Sequence, residues 1–156
     1  NRNRISIYDS KGQLVSPENW NSSKAKSYRY VQIPGYDNSL GLVKFNFPNR
    51  HSVYLHDTNH RDYFVREYRA LSSGCVRIEN PLQLSETILK KEDEKKWNKS
   101  EIDTIINRKT TRYIPLKNSN INIYLFYWTS WSDKDGLQFR EDIYNLDSKL
   151  FSALRN

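Results

Sequence analysis

The chain has 156 residues, 37% of them hydrophobic, and a net charge of +7 from 25 basic and 18 acidic side chains. That length suits one domain with a real core, and five Gly and five Pro are too few for a low-complexity chain. No apolar run approaches the roughly 20 residues of a membrane helix and no leader pattern opens the sequence, so the chain reads as soluble as it stands.

Neither a repeat nor a linker divides the chain. Arg4–Tyr8 is a candidate short strand before a turn at Asp9–Gly12, and Ser16–Trp20 reads as a turn or short helix. From Ser27 an alternating pattern predicts a strand that stops at Pro34-Gly35. Leu42–Phe47 predicts a second strand, ended by Pro48, and Ser52–His56 a third. In the third strand Val53 and Leu55 share one face, and Ser52, Tyr54 and His56 the other. Residues 57–71 form a polar connection with a helical turn around Tyr63–Tyr68. Asn80-Pro81 with Gln83 predicts a capped helix to about Lys91 that buries Leu84, Ile88 and Leu89. Ser100 is expected to cap another, with Ile102, Ile105 and Ile106 as its apolar stripe and Asp103 completing the box. Thr110–Pro115 and, more strongly, Ile121–Trp128 read as strands. Asp133–Gly136 is a turn before Leu137–Arg140, and Leu146–Arg155 a closing helix. The expected class is mixed α/β (α+β), β-sheet-rich, with flanking helices.

The basic residues are scattered, and the densest charged stretch, Lys90 to Lys96, mixes both signs. That is the pattern of a solvated helix face rather than a nucleic-acid footprint. Mild basicity also suits an anionic polymer such as cell wall. One cysteine leaves the compartment open. The sequence has no zinc-type ligand spacing, no phosphate-cradling glycine loop and no Gly-x-Ser-x-Gly elbow, so no cofactor or metal is expected.

The lone cysteine, Cys75, stands in Ser72-Ser73-Gly74-Cys75-Val76-Arg77, 19 positions after His56. It cannot form an internal disulfide, so it is either a buried small hydrophobe or a working thiol. Gly74 frees the backbone for a tight turn, Ser72 and Ser73 leave the sulfur open, and Arg77 adds a field that favours thiolate. Of three histidines, His51 and His60 read as surface residues. His56 ends a strand, where a scaffold holds a side chain firmly, and is the candidate general base. The chemistry of such a pair is acyl transfer, with backbone N–H groups of the Ser73-Gly74-Cys75 turn as oxyanion donors.

These residues resemble the YkuD-type L,D-transpeptidase signature: a histidine, a spacer, then Ser/Thr-His-Gly-Cys, a hydrophobic residue and Asn or Arg. Tyr54-Leu55-His56-Asp57-Thr58 and Arg69-Ala70-Leu71-Ser72-Ser73-Gly74-Cys75-Val76-Arg77 look like its YcbB branch, in which serine replaces the signature's second histidine. Gly41–Phe47 and Asp142–Asn145 fit that branch too, so the resemblance covers most of residues 27–146. It implies a YkuD-like fold and a peptidoglycan reaction in which Cys75 attacks the third residue of a tetrapeptide stem and releases D-alanine. A second stem then takes the acyl group, giving a 3→3 cross-link. On the same resemblance His56 is the base, the Asp57 carbonyl orients the imidazole, and Gly74, Ser73 and Cys75 shape the oxyanion hole. Tyr54, Arg69, Ser72 and Arg77 fall to the substrate pocket, with a structural salt bridge as the alternative for Arg77. A carbapenem or other β-lactam is an expected covalent ligand, and the periplasm of a Gram-negative cell the expected place, with the full-length protein secreted or anchored in the inner membrane.

The branch begins its catalytic domain with further strands and part of a substrate-capping lid; nothing here matches those strands, and residues 1–26 look like the end of the lid region instead. The expectation is therefore a single domain over 1–156, with 1–26 the end of a lid region and 27–156 the site-bearing part of a larger enzyme. Such a piece is expected to be marginal alone or to associate with its N-terminal portion. Readings with water or a protein lysine as acceptor (an L,D-carboxypeptidase or an anchoring enzyme), and a non-catalytic wall-binding module, remain open at this point.

Overall fold

The computed structural model describes residues 4–155. They divide into two compact units, one up to Asn120 and one from Ile121.

In the first unit, β1 (Ile5–Tyr8) pairs antiparallel with β2 (Arg29–Gln32), from Ile5 opposite Gln32 to Tyr8 opposite Arg29. The Asp9 carboxylate starts the turn after β1 by accepting the N–H groups of Lys11 and Gln13 at 2.9 and 2.8 Å. Two 3-10 turns follow, Pro17–Asn19 and Ser22–Ser27, the second capped by Asn21, whose side chain accepts the Ser23 N–H at 2.9 Å.

The next three strands are short: β3 (Lys44–Phe45), β4 (Leu55–His56) and β5 (Val76–Arg77). β4 is central, antiparallel to β3 and parallel to β5. A parallel pair needs a crossover of a dozen or more residues, and 57–75 supplies it. The strands expected at Leu42–Phe47 and Ser52–His56 are cut to two residues each by a polar clamp between them. The Asn49 carbonyl oxygen accepts the N–H groups of His51 and Val53 at 3.0 Å, while its amide donates to the Phe47 and Val53 carbonyls. Ser52 takes a positive φ of 53° in that loop, which ends the extended backbone. β5 itself was not expected; its two residues gain strand character only from the β4 backbone, through Val76 N–H to Tyr54 O and Ile78 N–H to His56 O.

α1 (Pro81–Glu92) and α2 (Lys99–Asn107) hold the apolar core of this unit. Leu89, Trp97 and Ile102 are buried, with Leu82, Ile105, Ile106 and Ile114 packed on them. At about 1.5–3 kcal/mol per fully buried large apolar side chain, this cluster is the main stabiliser of the helical pair. Leu84 and Ile88, expected to be buried with Leu89, are only half-buried. Asn80 occupies the N-cap position with Pro81 behind it, yet its side chain makes no capping bond. The cap of α2 is Asn98 rather than Ser100: its side chain accepts the Glu101 N–H at 3.0 Å, two residues earlier than the expected box. Thr110–Pro115 is irregular rather than a strand. The chain beyond it wraps the Glu92 carboxylate, which accepts the N–H groups of Lys117, Asn118 and Ser119 at 2.7–3.2 Å.

The second unit contains a hairpin, β6 (Ser130–Asp133) with β7 (Gly136–Phe139), and the helix α3 (Asp147–Leu154). The two-residue loop falls where the Asp133–Gly136 turn predicts it, with Asp133 accepting the Asp135 N–H at 2.9 Å. The Asp142 carboxylate accepts the N–H groups of Leu146 and Asp147 and so starts α3; chiefly the Asp147 N–H holds its pKa below the ordinary value. Ile121–Trp128, the most strand-like sequence in the chain, joins no ladder. Alternation supplies a face, but a strand also needs a partner backbone, and this segment has none among the described residues.

Candidate active site

The three-stranded sheet brings the cysteine and histidine together by register. Leu55 faces Val76 and His56 faces Arg77, so Cys75, one residue before Val76, lies beside Tyr54. Side chains on paired residues share a face, which puts Tyr54, His56, Cys75 and Arg77 on one side of the sheet. Lys44, directly across from His56 on β3, joins them.

His56 is 5% exposed. Its Nδ1 is hydrogen-bonded to the backbone carbonyl oxygen of Asp57. A carbonyl only accepts, so Nδ1 carries the hydrogen and Nε2 is the basic nitrogen of the neutral ring. Tyr54 meets the imidazole edge-on, with ring centroids 5.8 Å apart. The Lys44 Nζ stands 3.6 Å from the centre of the Tyr54 ring. Burial raises the pKa of the Tyr54 phenol, and Cys75 raises it further through its charge and through a hydrogen bond, so the phenol stays protonated at neutral pH.

What holds His56 in place is the residue after it. Asp57 is fully buried, and a buried carboxylate is tolerated only when paired and hydrogen-bonded. Its carboxylate accepts the Leu42 N–H at 2.8 Å and the Arg61 Nη2 at 2.8 and 3.0 Å, and its own N–H donates to Val43 O. Arg61 also donates to Glu79 O at 3.4 Å, linking the stretch after β4 to the stretch after β5. Gly41 makes this possible: its φ is +61°, and a Cβ there would stand 2.3 Å from the Asp57 carboxyl group.

Cys75 is half-buried and free. The turn before it carries Gly74 at φ +127°, a conformation that side-chain-bearing residues rarely adopt. Ser72 Oγ donates to Cys75 O at 2.7 Å and closes the turn. Among the described residues the backbone N–H groups of Gly74 and Cys75 donate to no protein acceptor. Ser73 and Arg69 are exposed, and Arg69 donates from Nε to the Arg66 carbonyl rather than meeting the sheet face. Arg77 donates to Leu71 O at 3.1 Å and lies 5.1 Å from the Tyr63 ring centre. The salt bridge offered above as its alternative role is not formed, since no carboxylate lies within 4 Å of it among the described residues. Its Nε is buried without an acceptor. His60 stacks on Tyr63 of the same loop, with ring centroids 4.8 Å apart, rather than on the sheet face.

Lys44, Arg61 and Gly41 were not singled out as site residues from sequence. Gly41 and Lys44 lie inside a stretch that fits the family pattern, but their partners are 10 or more positions away. No group of His, Cys, Asp and Glu side chains among the described residues is arranged to hold a metal ion.

Two comparisons bear on this arrangement. The family model for the L,D-transpeptidase catalytic domain, YkuD, matches residues 3–114. A Haemophilus influenzae protein provisionally named as an L,D-transpeptidase is 38% identical over 148 residues, 93% of this chain. The chain spans 29% of that protein's length. The family match covers well over half of the chain and contains all three strands of the site sheet; the chain belongs to the YkuD family of L,D-transpeptidase catalytic domains.

Proposed function

We propose that the chain carries the acyl-transfer site of a peptidoglycan L,D-transpeptidase, with Cys75 as nucleophile and His56 as base. The observation that carries this reading is the shared sheet face. A free thiol follows a glycine turn whose Gly74 and Cys75 N–H groups have no protein acceptor among the described residues, and it shares a sheet face with a buried imidazole whose Nδ1 is fixed by Asp57.

In this reading His56 Nε2 takes the thiol proton, and the sulfur attacks the carbonyl of the third residue of a tetrapeptide stem. The oxyanion is stabilised by the free N–H groups of the Gly74-Cys75 turn, each such donor being worth about 10²–10³ in rate. The C–N bond to the terminal D-alanine breaks as the imidazolium returns its proton to the leaving amine. The amine of a second stem then attacks the thioester, His56 takes its proton, and the thiol is restored with a 3→3 cross-link formed. In this reading Arg77, which has no carboxylate partner among the described residues, meets a substrate carboxylate, and Tyr54 and Ser72 contribute to the pocket. Reaction with cell-wall stems implies work outside the cytoplasm, in the periplasm. A carbapenem would acylate the same sulfur.

The test is incubation with a purified tetrapeptide stem, with Cys75→Ala alongside, read by mass spectrometry. Release of D-alanine with a 3→3 dimer supports the transpeptidase. A tripeptide without dimer makes water the acceptor. No acyl adduct on Cys75 overturns the reading.

A further inference from the structure

Lys44 is the one side chain on the site face to which neither the sequence pattern nor the reaction assigns a part. It is exposed, and among the described residues no carboxylate lies within 4 Å of its ammonium. A lysine chain has about 2 kcal/mol of rotamer entropy to lose, so a free lysine is expected to point into water. Here β3 sets Lys44 directly opposite His56, and its Nζ rests 3.6 Å from the Tyr54 ring centre, over the electron-rich face. The same ring meets His56 edge-on with centroids 5.8 Å apart, and the β4–β5 register sets Tyr54 beside Cys75 on the same face.

We propose that Lys44 is a positioning residue for Cys75, acting through Tyr54: the ammonium clamps and polarises the ring so that its hydroxyl donates to the cysteine sulfur. A cation on the ring face draws electron density from the ring and its oxygen, making the O–H a stronger donor. The thiolate, once formed, accepts that hydrogen bond. Lys44 thus adds positive potential to the site without touching substrate or sulfur. The proposal rests on the reading of Cys75 as the nucleophile, but the chemical reactivity of the sulfur can be measured apart from any wall substrate.

The experiment is alkylation of Cys75 by iodoacetamide at pH 7, in which sulfur displaces iodide, followed by mass spectrometry. It is run on wild type, Lys44→Gln, Lys44→Arg, Tyr54→Phe and the double variant Lys44→Gln/Tyr54→Phe, each checked for a native melting transition. Lys44→Gln is expected to slow alkylation about 2- to 5-fold, the size of an exposed cation–π contact, and Lys44→Arg to restore most of the rate. In the Tyr54→Phe background, Lys44→Gln is expected to change nothing further. An unchanged rate in Lys44→Gln, or the same slowing with and without the Tyr54 hydroxyl, overturns the proposal. Acylation by the tetrapeptide stem in the same variants separates the two claims. Alkylation that depends on Lys44 without any acylation removes the proposed function and leaves the Lys44–Tyr54 device standing; acylation indifferent to Lys44 does the reverse.

Discussion

The stretch around Asp57 and the stretch Ile121–Trp128 make opposite uses of their sequences. The first has strands of only two residues each, yet it is tied together, because one buried carboxylate accepts from Leu42 and Arg61 and fills the space that Gly41 leaves open. The second carries the best alternating pattern in the chain, and three of its rings remain exposed, Tyr124 at 72%, Phe126 at 73% and Trp128 at 64%, with Phe126 contacting the other two, while Tyr127 meets Tyr144 edge-on. Order at the site comes from polar groups that must be satisfied, whereas a hydrophobic pattern alone orders nothing without a partner backbone.

The sharpest way to break this comparison is through the site. Cys75→Ala is expected to abolish turnover with the melting transition unchanged; turnover near the wild-type rate in a product assay would remove Cys75 as nucleophile. His56→Ala should slow acylation about 10²–10⁴-fold, read by stopped-flow or quenched mass spectrometry, and an undiminished rate would remove it as base.

The next effects are on stability. Asp57→Ala strands a buried N–H and frees Arg61, and is expected to cost about 3 kcal/mol. Gly41→Ala should cost a similar amount, because its new Cβ collides with the Asp57 carboxyl group and its positive φ strains a side-chain-bearing residue. Chemical denaturation checks both, and a loss below about 1 kcal/mol in either would show that the carboxylate does not organise the region. By contrast Tyr124→Ser, on an exposed ring, is expected to stay within about 0.5 kcal/mol.

A subtler comparison concerns pH. The N–H groups of Asn118, Lys117 and Ser119 hold the Glu92 carboxyl at about 2, below its ordinary 4.5. A depressed folded-state value means that the contribution is present above the unfolded value and is lost as pH falls from about 4.5 towards 2. Protection factors at residues 117–119, corrected for intrinsic exchange, should therefore fall over that window, and Glu92→Gln should remove the fall; protection unchanged with pH in wild type would contradict it.

Much of the proposed site was legible because its chemistry is local in sequence. Cys75 with its glycine turn, and His56 at a strand end, need only neighbours to be recognised. The α1 start at Pro81 and the hairpin at Asp133–Gly136 follow from backbone chemistry confined to a few residues. The cap of α2 was misplaced because Asn98 and Ser100 are both competent N-caps, and the packing of Trp97 and Ile102 decides between them. Lys44 and Arg61 gain their meaning from Tyr54 and Asp57, and those contacts depend on register and loop path, which spacing does not reveal. The strand expected over Ile121–Trp128 fails for the matching reason: its pattern is in the sequence, but among the described residues no backbone pairs with it.

The most direct test is the location of the acyl group. After reaction with a tetrapeptide stem and rapid quenching, the peptide containing Cys75 is expected to carry the stem less its terminal D-alanine, as a hydroxylamine-labile thioester absent from Cys75→Ala. An adduct on another residue, or one that survives in Cys75→Ala, would contradict the account.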